Sequence, residues 1–139
     1  MEKTFNSVMP TLRYQNVQQA IDFLINAFGF TEHMIARDPV QKIVHAQLTY
    51  GAGMVMLGPA GGSDFDTLQV PPATLGGPVT QSAYVVVDDA DLHCQHAVSV
   101  GAKIAEPLQS PPHGGRFYSC FDIEGHLWNF GTYDPYEPL

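Results

Sequence analysis

Basic residues are scarce in this chain: six Lys and Arg stand against fourteen Asp and Glu, for a formal net charge of −8. Nucleic-acid binding draws much of its affinity from cations meeting phosphates, and no basic cluster is present to supply them. Nucleic acid is therefore set aside as a partner. The acidity favours cationic ligands over anionic ones, although it also serves solubility. Cysteine is nearly absent too. Cys94 and Cys120 are far apart, without the CxxC spacing of a metal site. Without a secretion signal, two reduced buried thiols are expected rather than a disulfide. No apolar run approaches the roughly 18 residues of a membrane span. Residues Met1 to Asn6 lack the basic-then-apolar order of a secretory leader. A cytoplasmic protein with no membrane partner is the expectation. Gly61-Gly62-Ser63 has no following Lys and so is no phosphate loop. No nucleophile elbow or catalytic triad spacing occurs.

What is present is core-forming material. Apolar residues make up 45% of the 139 residues and charged residues 14%, which suits one folded domain. Val17, Ala20, Ile21, Leu24 and Phe28 recur at the spacing of one helical face. Asn16 is a good N-cap with Gln19 three residues on, and Gly29 can close the helix in the left-handed conformation. A strand is predicted before it, over Ser7 to Tyr14. Three more follow, at Thr31–Arg37, Ile43–Tyr50 and Met54–Gly58. The second half repeats the order: a β-rich run over Thr80 to Val87, then a helix capped by Asp88 with Ala90, Cys94, Ala97 and Val98 on its apolar side, ending at Gly101. Strands are then predicted at Lys103–Glu106, Arg116–Asp122 and His126–Thr132.

Gly29 and Gly101 are 72 residues apart, and so are Gly53 and Gly125. Two glycine landmarks at one offset argue for a duplicated unit. The predicted fold class is α+β: two βαβββ modules forming curled mixed sheets around a cavity, with helices outside. The boundaries are a single domain over 1–139, with module one at 5–58, a Gly- and Pro-rich linker at 59–79 and module two at 80–133.

Alternation along each strand assigns faces. Val44, Ala46, Leu48 and Tyr50 are expected under the first helix, leaving His45, Gln47 and Thr49 on the opposite face. Tyr118, Cys120, Trp128 and Phe130 are expected under the second helix. Phe117, Ser119, Phe121, Leu127, Asn129 and Gly131 then face away. A face carrying Phe117 and Phe121 is better explained by a ligand cavity than by open solvent.

The order resembles the vicinal oxygen chelate superfamily of glyoxalases, extradiol dioxygenases and bleomycin-resistance proteins. The residues that carry the resemblance are Pro10-Thr11-Leu12-Arg13-Tyr14, Ala20-Ile21-Asp22-Phe23-Leu24, Phe28-Gly29-Phe30, Asp122-Ile123-Glu124-Gly125-His126-Leu127-Trp128 and Phe130-Gly131-Thr132-Tyr133. The last looks like the bleomycin-resistance-like branch. The resemblance implies a homodimer. It also implies, for the superfamily's enzymes, a divalent metal held by His and Glu from the first and last strands of each module. Those positions fall here on Met9, Leu57, Ser82 (or Gln81) and Asn129, none a His or carboxylate. A catalytic metal needs about three strong protein donors. No metal and no other cofactor is therefore expected.

The expected function is binding of a small aromatic or amphipathic molecule, an antibiotic among the candidates, without transforming it. Its ligand-binding residues would be His45, Gln47, Phe117, Ser119, Phe121, Leu127 and Asn129. The alternatives are a metal-dependent lyase or dioxygenase with displaced ligands, and a metal-free enzyme with His45 as base. His93 and His96, at i and i+3, read as a solvated polar face, and His126 as a turn residue or one that supports a ligand-contacting side chain from behind, rather than a catalytic group. His33 has no visible partner, and His113 belongs to a structural loop.

Overall fold

In a computed structural model, residues 7–137 are described. Residues 1–6, on which the expectation about a secretory leader and the start of module one at Phe5 rest, and residues 138–139 of the 1–139 domain lie outside them. Four strands and a helix make the first module: β1 (Thr11–Tyr14), α1 (Val17–Phe23, continuing as a π-helical turn over Leu24–Phe28), β2 (Thr31–Arg37), β3 (Ile43–Tyr50) and β4 (Gly53–Pro59). The linker holds a 3₁₀ turn at Asp64–Thr67 and a one-turn helix α2 (Pro72–Leu75). The second module has β5 (Ala83–Val86), α3 (Ala90–Val100), β6 (Lys103–Gln109), β7 (Phe117–Phe121) and β8 (Leu127–Gly131). The sheets have matching orders, β1-β4-β3-β2 and β5-β8-β7-β6, with the first pair of each parallel. This is the duplicated α+β architecture predicted above. Among the described residues no helix is long and apolar enough to cross a membrane.

Capping chemistry sets both helix starts. The Asn16 side chain accepts from the Gln19 backbone N–H at 3.1 Å, and Gly29, at φ 91°, closes the π turn. In module two the cap is Asp89, not Asp88: its carboxylate accepts from Leu92 N–H at 3.0 Å. Ala90, Cys94 and Ala97 are buried as expected, whereas Val98 is 46% exposed. Both cysteines are buried, free thiols.

Inside, one core spans both modules. Tyr118, Cys120, Trp128 and Phe130 are fully buried, as are Ala46 and Leu48. Val44 is not. The register steps from Ala36↔His45 to Arg37↔Ile43, so Val44 is the extra residue of a β-bulge, and Ile43 takes the buried place. Phe28 lies with its ring 5.5 Å from that of Trp128 and 4.7 Å from that of Phe130. His93 and His96 on α3 reach the carbonyls of Phe28 and Asn26. The modules of one chain thus join through their helices and helix-facing strand sides.

A polar weld adds to this. Asp122, 5% exposed, accepts from Tyr14 Oη at 2.6 Å, Trp128 Nε1 at 3.0 Å and the backbone N–H groups of Glu124 and His126. The Glu124 carboxylate accepts from Gln15 and Asn16 N–H, tying the β7–β8 turn to the start of α1. The linker is fastened to both modules: Gln69 donates to Thr11 O at 2.8 Å, and Ala73 N–H donates to Glu124 O.

Candidate functional site

The helix-free face of each sheet is where the predicted site residues stand. Partners across a sheet point to the same side. Met34, Gln47, Met56 and Thr11 form one row on module one, and Thr31, Thr49 and Met54 form the next. His45 stands across from Ala36, with its Nε2 3.2 Å from the Gln47 side-chain amide. Of the chain's five methionines, Met34, Met54 and Met56 lie on this face, and Met9 sits two residues before Thr11. Thioether side chains are polarisable and adaptable and make favourable contacts with aromatic rings. This methionine wall was missed from sequence; alternation in β4 read against β3 would have found it.

On module two, Glu106, Ser119, Asn129 and Tyr84 share a row, flanked by the Phe121–Leu127 and Phe117–Gly131 pairs. Ser119 Oγ donates to Asn129 Oδ1 at 2.6 Å, while Asn129 Nδ2 donates to Ser82 Oγ at 2.9 Å and to Ala83 O at 3.0 Å. The Ala83 carbonyl can only accept, which fixes the orientation of the amide. Phe121 is 36% exposed and Tyr84 42%. Tyr84 was also missed, although Ser82, Tyr84 and Val86 alternate in the sequence.

Seven residues were predicted to share a site. The chain gathers them into two groups: His45 with Gln47 on one sheet, and the other five on the second sheet. Among the described residues no hydrogen bond or ring contact joins the groups. The cavity of about 790 Å³ between the modules is lined by the starts of β1, β5 and β8 and by the linker, and of the seven only Leu127 borders it. Met9 and Ser82 line it as well. Arg13 pairs with Asp66 and lies 5.3 Å over the Phe65 ring, so the 3₁₀ turn covers the end of β1.

Two corrections concern histidine and leucine. His93 does not lie on a solvated face. It is packed against Phe28, Tyr50, Tyr118 and Phe130, with Nδ1 2.6 Å from Tyr118 Oη. Burial lowers its pKa and raises that of Tyr118. Leu57, assigned to the last strand's metal position, is 1% exposed and pairs with Ala46 and Leu12 on the helix side. The residue on the open face there is Met56. The β3–β4 turn has two residues, Gly51 and Ala52, whereas β7 and β8 are joined by residues 122–126. Ser119 pairs with Asn129 as Gln47 pairs with Met56, so the 72-residue offset becomes 73 beyond the hairpin and reverses the face. His126 is a turn residue as predicted, buried, with Nε2 2.8 Å from Arg13 O.

Two βαβββ modules, each presenting a helix-free sheet face with hydrogen-bonding and polarisable side chains, define a duplicated α+β protein with its candidate binding walls on β-sheet. The chain belongs to the Glyoxalase/Bleomycin resistance protein/Dioxygenase superfamily, whose family profile matches residues 4–130. It is 31% identical over 126 residues to an uncharacterized protein of Mycobacterium bovis, covering 90% of this chain and 82% of that one. TioX from Micromonospora sp. ML1 superposes with a TM-score of 0.70 at 35% identity, covering 91% of this chain and 98% of TioX. The fosfomycin resistance protein FosX from Mesorhizobium loti shares the fold, at 14% identity and a TM-score of 0.65 over 97% and 96% of the two chains.

The residues at the superfamily's metal positions do not fit a catalytic divalent ion. Met9 and Met56 offer soft thioethers, Ser82 a neutral hydroxyl, and Asn129 an amide already engaged by Ser119, Ser82 and Ala83. Among the described residues no three or more His, Cys, Asp or Glu are grouped to hold a metal.

Proposed function

We propose that this is a cytoplasmic, homodimeric small-molecule binding protein that holds an aromatic or amphipathic compound, antibiotics included, without a metal and without transforming it. The observation that carries this reading is the chemistry of the two open faces. Module one offers Met34, Met54 and Met56 around the His45–Gln47 pair; module two offers Phe117, Phe121 and Leu127 around Ser119 and Asn129. Polarisable and aromatic walls with a few oriented polar groups are what a ligand site for a flat organic molecule requires. The bleomycin-resistance part of the family name supports the antibiotic class.

Among the described residues no hydrogen bond or ring contact joins the two groups of site residues within one chain, and the reading assigns the completed site to a dimer in which module one of one protomer faces module two of its partner. Each protomer would then supply half of each of two equivalent sites. Calorimetric titration with a panel of aromatic antibiotics, alongside metal analysis of protein purified without chelator, tests the proposal. Binding by metal-free protein is expected. Stoichiometric metal whose removal abolishes binding would turn the reading toward the lyase or dioxygenase alternative.

A further inference from the structure

Gly131, the last residue of β8, faces the open side of module two between Val86 and Phe117, yet it is buried. The reason is steric. A Cβ built there would lie 2.5 Å from Tyr84 Oη, 3.1 Å from Tyr84 Cε1 and 2.9 Å from Phe117 Cβ. Any other residue at position 131 would collide with the Tyr84 ring, because real Cβ atoms do not approach so closely. The Tyr84 ring edge therefore crosses β8 directly over the missing side chain. Its hydroxyl donates to Tyr133 O at 2.7 Å, which holds the ring there. Even so, Tyr84 remains 42% exposed. Tyr84 stands across from Asn129, whose amide is locked by three hydrogen bonds, so the floor beside the ring is rigid.

A bland surface tyrosine needs neither a glycine beneath it nor a tether at its tip. Here both restrict the ring to one place on the predicted binding wall. Electrostatics favour one class of occupant. Glu106 shares the row of Ser119, Asn129 and Tyr84, and the Asp134 carboxylate is near enough to help burial raise the Tyr84 phenol. The aromatic face itself attracts cations, and the chain carries a net charge of −8. Lys103, opposite Phe121, is the opposing charge on this face; it and Glu106 both stand on β6, the edge strand across the sheet from Tyr84, so Asp134 is the carboxylate beside the Tyr84 ring.

We propose that Tyr84, set over Gly131 and tethered to the Tyr133 carbonyl, is a stacking platform that selects planar aromatic cations for the module-two wall. This deepens the small-molecule reading above and rests on it. A planar cation would lay its π-face on the Tyr84 ring beside Phe117, with its charge toward Asp134.

Proflavine, a planar aromatic cation, serves as the probe, and its fluorescence is titrated at physiological salt to screen loose attraction to the acidic surface. Wild-type protein is expected to bind it. Tyr84→Leu should weaken binding about tenfold or more, as loss of one stacked ring does. Tyr84→Phe keeps the ring and should stay within about threefold. Gly131→Ala should act like Tyr84→Leu, because its methyl displaces the ring. Tyr136→Leu, at a 96% exposed tyrosine, should change nothing. Circular dichroism and melts of each variant check folding; if Gly131→Ala does not fold, the two Tyr84 variants decide. A Tyr84→Leu protein that binds proflavine as well as wild type overturns the proposal, and so does wild-type protein that binds aromatic antibiotics but not proflavine. Either result leaves the broader small-molecule reading standing. Wild-type protein that binds no aromatic compound at all removes both.

Discussion

Nδ1 of His93 lies 2.6 Å from the Tyr118 hydroxyl, and Nε2 of the same ring lies 2.8 Å from the Phe28 carbonyl. The carbonyl can only accept, so Nε2 carries the proton and Nδ1 accepts from the phenol, whose own pKa is raised chiefly by burial. This neutral imidazole joins α3 to the end of the first helix and to β7. Burial is the main cause that lowers its pKa, with His96 adding to it and the bond to Phe28 opposing. An unfolded histidine titrates near 6.5. Below that value the unfolded chain takes up a proton that the folded chain resists, so stability is present above the window and lost as pH falls through it. Melting temperature should therefore fall on acidification from about pH 7.5 to about pH 5.5, and the slope should be shallower in His93→Gln. A parallel slope in that variant would show that His93 is not the group responsible.

Asp122 gives the second prediction. Its two oxygens accept four hydrogen bonds, from Tyr14, Trp128 and the N–H groups of Glu124 and His126. Asn is nearly the same size but replaces one acceptor with a donor, which would face Tyr14 and Trp128 or the two backbone amides. Either orientation leaves buried donors without partners. Asp122→Asn should cost about 2–4 kcal/mol in urea denaturation. Tyr14→Phe, which leaves three donors in place, should cost less, about 1–2 kcal/mol. Equal stability of Asp122→Asn and wild type would mean that the weld contributes nothing.

Much of the fold was legible because local chemistry and global architecture agree. The Asn16 cap, the apolar spacing from Val17 to Phe28 and the Gly29 stop are all local signals, and they delimit the first helix as found. Strands β2 and β3 have the bounds predicted from sequence. What misled the sequence reading were features that alternation cannot carry. The bulge at Val44 exposes a valine and buries Ile43, and the longer β7–β8 turn breaks the 72-residue repeat and moves the open-face position from Leu57 to Met56. His93 read as polar surface because its partners, Phe28 and Tyr118, are 65 and 25 residues away in sequence. The candidate site was legible strand by strand, but not as an assembly, because no pattern within a strand tells which sheet faces which.

Assembly is therefore the third prediction. Met34, Tyr84 and Phe121, each 36–42% exposed, lie on open sheet faces. Covering both faces with a partner's would remove that apolar surface from water. Light scattering across micromolar concentrations is expected to give a dimer. Glu placed at Met56, in the middle of the module-one face, should dissociate it or weaken it by at least tenfold, since a buried unpaired carboxylate is costly. A wild-type monomer throughout that range would contradict the dimeric reading.

The last prediction separates the binding wall from the core by comparing neighbours that point opposite ways. Phe121 is 36% exposed on the open face beside Leu127, and Trp128 is 1% exposed beneath the helix layer, with its indole N–H on Asp122. Trp128→Ala removes both packing and a donor to a buried carboxylate, and should cost about 3–5 kcal/mol of stability. Phe121→Ala should cost less than about 1 kcal/mol of stability, as surface truncations do, yet weaken aromatic ligands measurably, because stacking adds about 0.5–1.5 kcal/mol beyond area burial. Leu57 and Met56 repeat the test in module one. Leu57→Ala should destabilise by about 2–5 kcal/mol, whereas Met56→Ala should act mainly on ligand affinity. Calorimetry and thermal melts on the four variants measure both quantities. If Phe121→Ala and Met56→Ala leave affinity unchanged, the open faces are not the binding walls. The cavity bordered by β1, β5 and the linker would then be the place to look for the ligand.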